Sequence, residues 1–268
     1  MPEDSPPFDR KPQPRLTQVP AGSFLWRIAR HSEPGWSGQP ARPAEAGGYH
    51  RRSGLAGPTI PMGLAEMAGL GGGPERTRGT GSTSAFREFD RATFDPDLAG
   101  RFDPTPDCKY SYCYAAFDDL TAICEVFLRD VSFTGPARFL LKCTVKDRQL
   151  TILETRRPLW LVSLMCAADL AAARQDSWLI HAESRDCYKV TREWAHWLRN
   201  SETPDGEGPA GIVWPAKREP GGRAVLLFGD RCADAVVYSP FGVRPLDSGE
   251  GREWLDRRLE LLRTKVRW

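Results

Sequence analysis

The sequence predicts a mixed fold of the α+β class, with one compact unit from Arg101 to residue 268. Short apolar runs typical of strands alternate with segments whose apolar residues recur at helical spacing. The composition, 40% hydrophobic and 27% charged residues, is ordinary for a globular protein. A chain of 268 residues is also long enough to bury a substantial core. These observations favour a globular domain that contains both helices and strands.

The N-terminal third of the chain is expected to add one strand to this unit. Residues 1–20 are rich in proline and charge and lack a core-forming apolar pattern, which predicts a disordered leader before a domain at residues 21–268. In residues 23–30 the side chains Phe24, Trp26 and Ile28 alternate with Leu25, Arg27 and Ala29, which is typical of a short strand. Residues 32–91 are rich in Gly, Pro, Arg and Ser, a composition that buries too little apolar surface to offset the entropy of ordering. We therefore predict a long loop or disordered insertion there.

The compact unit is predicted to open with a strand at residues 111–115 and a helix at residues 118–129, whose buried side is apolar. Two further strands, at residues 138–144 and 150–155, flank a polar turn. The remaining predicted elements are an apolar segment at 159–165, an amphipathic helix at 191–198, strands at 211–214 and 224–228, and a final helix at 253–266.

Composition and charge exclude several classes of function. The net charge of +2 gives no field that would recruit nucleic acid or a membrane. No apolar run is long enough to span a bilayer, and the proline-rich start predicts no secretion signal. The seven cysteines include no CxxC motif, which favours reduced thiols in a cytoplasm over a disulfide framework or a zinc site. The four histidines have no partner at metal-ligand spacing, so no metal site is predicted.

One carboxylate deserves a functional interpretation. Glu125 lies between Cys124 and Val126 on the predicted helix, close to its apolar face. Charged residues are rarely buried without a partner, so the ordinary interpretation is a helix-edge residue whose carboxylate reaches solvent. The alternative is a catalytic carboxylate. Position alone leaves both interpretations open.

Two arginines are candidate ligands for an anion. Arg101 follows Gly100 in a turn, where its guanidinium could make a forked contact with phosphate oxygens or pair with Asp103 or Asp97. Arg27 lies on the opposite strand face from the apolar residues beside it, where it is either exposed or directed into a cleft. Neither position is decisive by itself.

The aromatic residues allow a similar choice. Tyr112 and Tyr114 share one face of their predicted strand, as residues two apart do. Tyrosines in strands usually pack against neighbouring strands, but one of them could offer a stacking surface for a planar ring. The glycine-rich run at residues 69–73 lacks the context of a phosphate-binding loop, and no GxSxG motif supports a serine nucleophile. The predicted chemistry is therefore neither metal-dependent nor nucleophilic.

In the order of its motifs the chain resembles the RES-domain family, the toxins of RES–Xre toxin–antitoxin pairs. The motifs are LWRIAR with Arg27, GRFDP with Arg101, and YAAFDDLTAICEVFLR with Tyr114 and Glu125. Tyr114 and Glu125 are eleven positions apart, as the family pattern requires. The later segments TREWAHWL and GIVWPAKREPGGRAVLLFGDR are similar to the second half of the family.

The resemblance implies a fold related to ADP-ribosyltransferases, with a small split β-sheet and flanking helices around a pocket for NAD. It implies cleavage of the nicotinamide–ribose bond of NAD, which is a substrate and not a resident cofactor. Glu125 would stabilise the positive charge that develops on the ribose, and Arg27 would assist as a catalytic and phosphate-binding residue. The ligands of NAD implied by the resemblance are Arg27, Arg101 and Tyr114. Ser132 and Thr134, which follow the predicted helix of Glu125, are expected to line the same pocket with their hydroxyl groups.

Two departures from the family pattern accompany this resemblance. Ala216 occupies the position where the family serine is expected. The hydroxyl of that serine is therefore missing, unless Ser239 or another residue supplies it from elsewhere in the chain. One missing hydrogen bond to substrate costs about 0.5–1.5 kcal/mol, which weakens an enzyme without abolishing catalysis. The insertion at residues 32–91 is the second departure.

The resemblance also implies an Xre-type antitoxin protein as partner. From the net charge and the absence of a long apolar run, we expect no membrane association and no direct binding of nucleic acid. The acceptor of ADP-ribose stays open between phosphate, water and a protein. Two alternative functions remain: a protein mono-ADP-ribosyltransferase, and a catalytically lapsed relative that acts through protein interaction, an alternative motivated by Ala216.

Overall fold

The computed structural model describes residues 5–30, 85–182 and 185–268, so most of the predicted insertion lies outside the described residues. The strands of the described residues are β1 Leu16–Val19, β2 Phe24–Arg30, β3 Tyr112–Ala116, β4 Arg138–Leu141, β5 Arg148–Thr155, β6 Leu159–Ser163, β7 Gly211–Pro215, β8 Arg223–Phe228, β9 Val236–Pro245 and β10 Thr264–Arg267.

The first helix, α1 at Asp119–Ile123, continues directly into a π-helix at Cys124–Leu128. The other helices of the described chain are α2 Lys142–Val145, α3 Ala167–Ala172, α4 Trp178–His181, α5 Arg185–Leu198, α6 Gly229–Cys232, a 3₁₀-helix at Ala233–Ala235 and α7 Gly249–Leu261. No helix within the described ranges has the length and apolar character needed to cross a membrane.

The strands of the described residues form one large sheet and one small one. Eight strands follow the order β1-β6-β7-β8-β3-β2-β5-β9. All neighbours in this sheet are antiparallel except β6 and β7. The small sheet consists of β10 and β4, which are parallel. The predicted α+β class, with helices flanking the sheet, is confirmed.

The large sheet is split between β3 and β2, its fifth and sixth strands in this order. In the described chain these strands pair at one position, Trp26 with Ala116. By contrast, β2 pairs with β5 at seven positions and β3 pairs with β8 at five. The residues of β2 beyond Trp26 and of β3 before Ala116 therefore face each other across a gap. This gap positions the candidate site.

Two apolar cores lie on one face of the sheet, on either side of the gap. Alternation along β3 puts Tyr112, Tyr114 and Ala116 on that face. Ala116 belongs to the first core, where α1, the π-helix and α7 cover β2 and β5. Tyr112 belongs to the second core, where α3, α4 and α5 cover β6, β7 and β8. A third core covers the opposite face and contains Cys113 of β3.

The prediction of a disordered leader is wrong for its last part. Residues Leu16–Val19 form β1, which pairs antiparallel with β6 at the edge of the large sheet. Val19 is buried, and the indole N–H of Trp197 donates to the Arg10 carbonyl at 2.8 Å. The strand is only four residues long, so its apolar pattern is too short to detect. Pairing with a distant strand decides its structure.

The end of the predicted insertion also belongs to the folded domain. Ala85 and Phe86 are buried. Arg87 and Tyr112 form an isolated antiparallel bridge, with N···O distances of 2.8 and 2.9 Å in the two directions. Of the two predicted alternatives, disorder is therefore wrong for these residues, which form an ordered loop because long-range packing orders a segment of unfavourable composition.

The C-terminal helix and one strand pairing also differ from the prediction. The helix α7 ends at Leu261, and residues Thr264–Arg267 form β10. Arg263, with φ of 46°, turns the chain between them. Strand β4 pairs with β10 and not with β5, and α2 separates β4 from β5. Strand β9, which pairs with β5 at the sheet edge, was not predicted.

Candidate functional site

Two cavities lie where the large sheet splits. Each has a volume of about 190 Å³, and Ile28 and Tyr114 line both. We call the first the arginine cavity, because its walls include Arg27 and Arg87. We call the second the glutamate cavity, because Glu125 lies in its wall. Their shared wall residues make them neighbouring parts of one cleft.

Glu125 reaches the glutamate cavity from the π-helix. The π-helix continues α1, which is capped by Asp118: its carboxylate accepts a hydrogen bond from the Thr121 backbone N–H at 2.7 Å. The change from α- to π-helix at Cys124 directly precedes the glutamate. Such changes of helix type are frequent at functional sites, because they redirect side chains on the helix surface.

Both carboxylate oxygens of Glu125 are held in place. Oε2 accepts from Nη1 of Arg129 at 2.9 Å, and Oε1 accepts from the backbone N–H of Lys217 at 2.8 Å. The Glu125 side chain is only 14% exposed. The helix and the segment after β7 thus fix the direction of this carboxylate. Hydrogen bonds to a charged acceptor are strong, which favours an ordered side chain.

Arg129 is the charged partner of Glu125 in the same cavity wall. Its Nη2 donates to the hydroxyl of Tyr188 at 3.3 Å. Burial lowers the pKa of Arg129, but Glu125 and Tyr188 raise it, and the net shift is upward. The wall of the cavity therefore contains an ion pair, with 2.9 Å between Nη1 of Arg129 and Oε2 of Glu125.

Three aromatic rings line the glutamate cavity beside aliphatic side chains such as Val126. Tyr114 and Trp214 line it together, with their ring centroids 6.1 Å apart in an edge-to-face arrangement. Trp214 also meets the ring of Phe102 edge-to-face, at 5.1 Å. Trp26 contributes another buried ring from β2. A cavity with rigid aromatic walls and one fixed carboxylate suits a planar ring that carries or develops positive charge.

Asp103 organises the wall between the two cavities. Its carboxylate accepts from the Tyr114 hydroxyl at 2.8 Å, from the Gly100 backbone N–H at 2.8 Å and from the Tyr112 hydroxyl at 3.4 Å. The Tyr114 hydroxyl itself accepts from the Phe102 backbone N–H at 3.2 Å. Burial and the Asp103 carboxylate raise the pKa of Tyr114 well above its ordinary value. Tyr114 is therefore a neutral hydrogen-bonding wall residue.

Replacing Gly100 by alanine is expected to disturb this wall. The added Cβ would lie 2.6 Å from Oδ1 of Asp103, closer than any unstrained contact. Since two hydrogen bonds shorter than 3 Å hold that carboxylate, moving it leaves buried donors unpaired. We expect a loss of about 1–3 kcal/mol in the free energy of unfolding, measured by urea denaturation. Gly135→Ala is the matched control, because its added Cβ would meet no atom within 4 Å. Equal stability of the two variants would contradict this role of Asp103.

Arg101 lies behind the cleft and lines neither cavity. It is 5% exposed, and its Nη2 donates to the Ala182 carbonyl at 3.0 Å. Its guanidinium lies 5.7 Å from the ring centroid of Tyr188, whose hydroxyl contacts Arg129. Burial and the charge of Arg129 lower the pKa of Arg101 to about 10. Arg101, which the family resemblance implies as a phosphate ligand, thus lies next to Tyr188, whose hydroxyl contacts Arg129.

The structure does not bring the predicted hydroxyl groups to the cleft. Ser132 is exposed and accepts from Nη2 of Arg218 at 3.3 Å, and Thr134 is also exposed. Neither residue lines a cavity. Ser239 is buried in β9 and likewise lines neither cavity. Ala216 is buried. It directly precedes Lys217, whose backbone N–H donates to the carboxylate of Glu125.

Four residues of the cleft were not singled out in the sequence analysis. The helical spacing of four between Glu125 and Arg129 is a signal for an ion pair that could have been used. Arg87 lies in a segment whose composition concealed it, and Asp103 and Trp214 carry no local signal. Within the described ranges, no group of three or more His, Cys, Asp or Glu side chains could hold a metal ion.

A comparison with protein-family models matches the RES domain over residues 75–247. The chain belongs to the RES-domain family. The match spans Arg101, Tyr114 and Glu125, and it confirms the family inferred from the motifs. Arg27 precedes the matched residues.

Comparisons with individual proteins add one structural likeness. The crystal structure of the M. tuberculosis MbcT–MbcA toxin–antitoxin complex contains a chain that is similar to this one, with a TM-score of 0.40 and 12% sequence identity. The similarity covers 84% of this chain and 87% of that chain. A search of curated proteins finds no match.

Proposed function

We propose that this RES-domain protein is a cytoplasmic toxin that consumes NAD by breaking its nicotinamide–ribose bond, through phosphorolysis or hydrolysis. The observation that carries the proposal is the position of Glu125. Its carboxylate is hydrogen-bonded through both oxygens and lies in the wall of an aromatic cavity. A carboxylate of this kind is what cleavage of a glycosidic bond requires.

The proposed chemistry follows from where charge develops. When the bond between nicotinamide and ribose breaks, nicotinamide leaves as a neutral base and positive charge builds on the ribose. A fixed carboxylate beside that ribose stabilises the charge in the transition state more than in the ground state. Arg129 and the Lys217 backbone N–H hold Glu125 ready for this role, so little reorganisation is needed during the reaction.

The proposed orientation of NAD uses both cavities. The nicotinamide ring and its ribose occupy the glutamate cavity, against Tyr114 and Trp214, and the phosphates lie toward Arg27 in the arginine cavity. Arg101 would then act as a positioning residue, through Tyr188 and Arg129. Phosphate or water would attack the ribose after nicotinamide has left.

The proposal includes an Xre-type antitoxin as the partner that neutralises the toxin. It rests on membership of the RES-domain family and on the resemblance to RES–Xre pairs. Expression of the chain alone should arrest growth, and co-expression of the antitoxin from the neighbouring gene should relieve the arrest. Growth arrest that persists with a Glu125→Gln variant would separate toxicity from NAD cleavage.

The alanine at position 216 supports a second candidate function, that of a catalytically lapsed relative. Ala216 removes the hydroxyl expected near Glu125, and the buried Ala216 backbone N–H is already used in a 2.9 Å hydrogen bond to the Gly222 carbonyl. A catalytically lapsed relative that acts by protein interaction would carry such a change. This alternative requires that the purified protein leaves NAD intact.

The decisive experiment follows the fate of NAD that is labelled in its adenine part. Purified full-length protein is incubated with NAD, with and without inorganic phosphate, and the products are separated chromatographically. We expect release of nicotinamide and a labelled small-molecule product, and a phosphate-dependent product identifies phosphorolysis. Label on protein would instead identify ADP-ribosyl transfer. Intact NAD would contradict the proposed function and favour the lapsed relative.

A further inference from the structure

Arg87 is a cation of the cleft to which neither the motifs nor the proposed function assigns a role. We infer that Arg27 and Arg87 together form a subsite for two linked phosphates, and that Arg87 selects a dinucleotide over substrates without a diphosphate. This inference rests on the proposed function, since it names the part of the substrate that the arginine cavity binds.

The backbone of Arg87 is fixed at the gap in the large sheet. Its N–H donates to the Tyr112 carbonyl at 2.8 Å, and its carbonyl accepts from the Tyr112 N–H at 2.9 Å. Because β8 occupies one edge of β3, this bridge lies on the edge that faces β2. The residue before Arg87, Phe86, has a buried side chain, which also holds this segment in place. Arg87 is therefore held opposite β2, the strand that carries Arg27.

Arg87 lines the arginine cavity. Among the described residues, no carboxylate forms an ion pair with it, and its guanidinium lies 6.0 Å from the ring centroid of Tyr112. Asp103 also lines the arginine cavity, but the hydroxyls of Tyr112 and Tyr114 and a backbone N–H donate to its carboxylate. Two arginines and one carboxylate, that of Asp103, thus line the arginine cavity.

Two guanidinium groups in one cavity match a diphosphate better than a single phosphate. Each planar guanidinium can make a forked contact with the oxygens of one phosphate group. The glutamate cavity adjoins the arginine cavity through Ile28 and Tyr114, so a substrate ribose beside Glu125 would have its phosphates next to the arginines. A nucleotide substrate would then contact both the glutamate cavity and the arginine cavity.

The test measures binding and turnover in the full-length protein. Binding of ADP-ribose, followed by isothermal titration calorimetry, is expected to weaken about ten- to hundredfold in Arg87→Ala, the effect of losing hydrogen bonds to a charged group. The KM for NAD should rise by a similar factor, with little change in kcat. Cleavage of nicotinamide riboside, which has the scissile bond but no phosphate, should be the same in both proteins. Arg87→Lys keeps the charge but not the fork, and we expect it to recover part of the affinity.

The control is Arg91→Ala, an exposed arginine on the same segment that lines neither cavity. It should bind ADP-ribose as the wild-type protein does. If Arg87→Ala unfolds, the comparison passes to Arg87→Lys, and unchanged affinity and KM in a folded variant overturn the inference. Failure of the wild-type protein to bind ADP-ribose while it consumes NAD also overturns it. Binding of ADP-ribose without any cleavage of NAD overturns the proposed function alone.

Discussion

Replacing Glu125 by glutamine is expected to slow NAD cleavage on the order of a hundred- to a thousandfold, the usual cost of losing one preorganised group that stabilises transition-state charge. Glutamine has nearly the same shape, and its amide oxygen can still accept a hydrogen bond from Arg129 or from the Lys217 backbone N–H. The variant therefore removes the negative charge with little change in packing. Nicotinamide release under saturating NAD measures the effect on kcat.

The binding of NAD should change much less than kcat, because the charge on ribose develops mainly in the transition state. Glu219→Gln is a suitable control. Glu219 is a half-buried carboxylate in the turn between β7 and β8, and it lines neither cavity. We expect it to cleave NAD at the wild-type rate. Full activity of a folded Glu125→Gln protein would exclude Glu125 as the catalytic carboxylate.

The part of the site that the sequence predicts best is local in the chain. Tyr114 and Glu125 lie in one strand–helix unit, and both line the glutamate cavity. Arg27 is distant in sequence and was linked to them only through the family resemblance. Its entry into the cleft depends on the single pairing of Trp26 with Ala116, a tertiary feature that periodicity does not report.

The errors of prediction share a physical cause, which is structure fixed by contacts between distant residues. Arg87 lies in a segment of glycine- and arginine-rich composition, and its bridge to Tyr112 orders it. The helical pattern predicted for residues 253–266 runs past the positive φ of Arg263, beyond which the chain forms β10 beside β4. The change to a π-helix before Glu125 leaves no trace in the apolar pattern, since the same residues stay buried.

Replacing Trp254 by alanine is expected to cost about 3–5 kcal/mol in the free energy of unfolding, the typical result of emptying a buried tryptophan site. Trp254 is fully buried in α7, within the core that also contains Ile123 and Phe127 of the helix bearing Glu125. Domains of this kind are stable by only about 5–15 kcal/mol, so the loss is a large fraction of the total. Urea denaturation at constant temperature measures it.

The same substitution should also affect the glutamate cavity, because α7 contacts the start of α1, the helix that leads to Glu125. Arg258 lies over the Trp254 ring at 5.8 Å and pairs with Asp119, the first residue of α1, at 2.9 Å. Loss of the ring removes a packing surface for this buried pair, so we expect lower NAD cleavage even where the variant remains folded. Leu261→Ala, at the 65% exposed end of α7, should change stability by no more than about 0.5 kcal/mol. A Trp254→Ala protein that is as stable and as active as this control would show that α7 does not support the helix that carries Glu125.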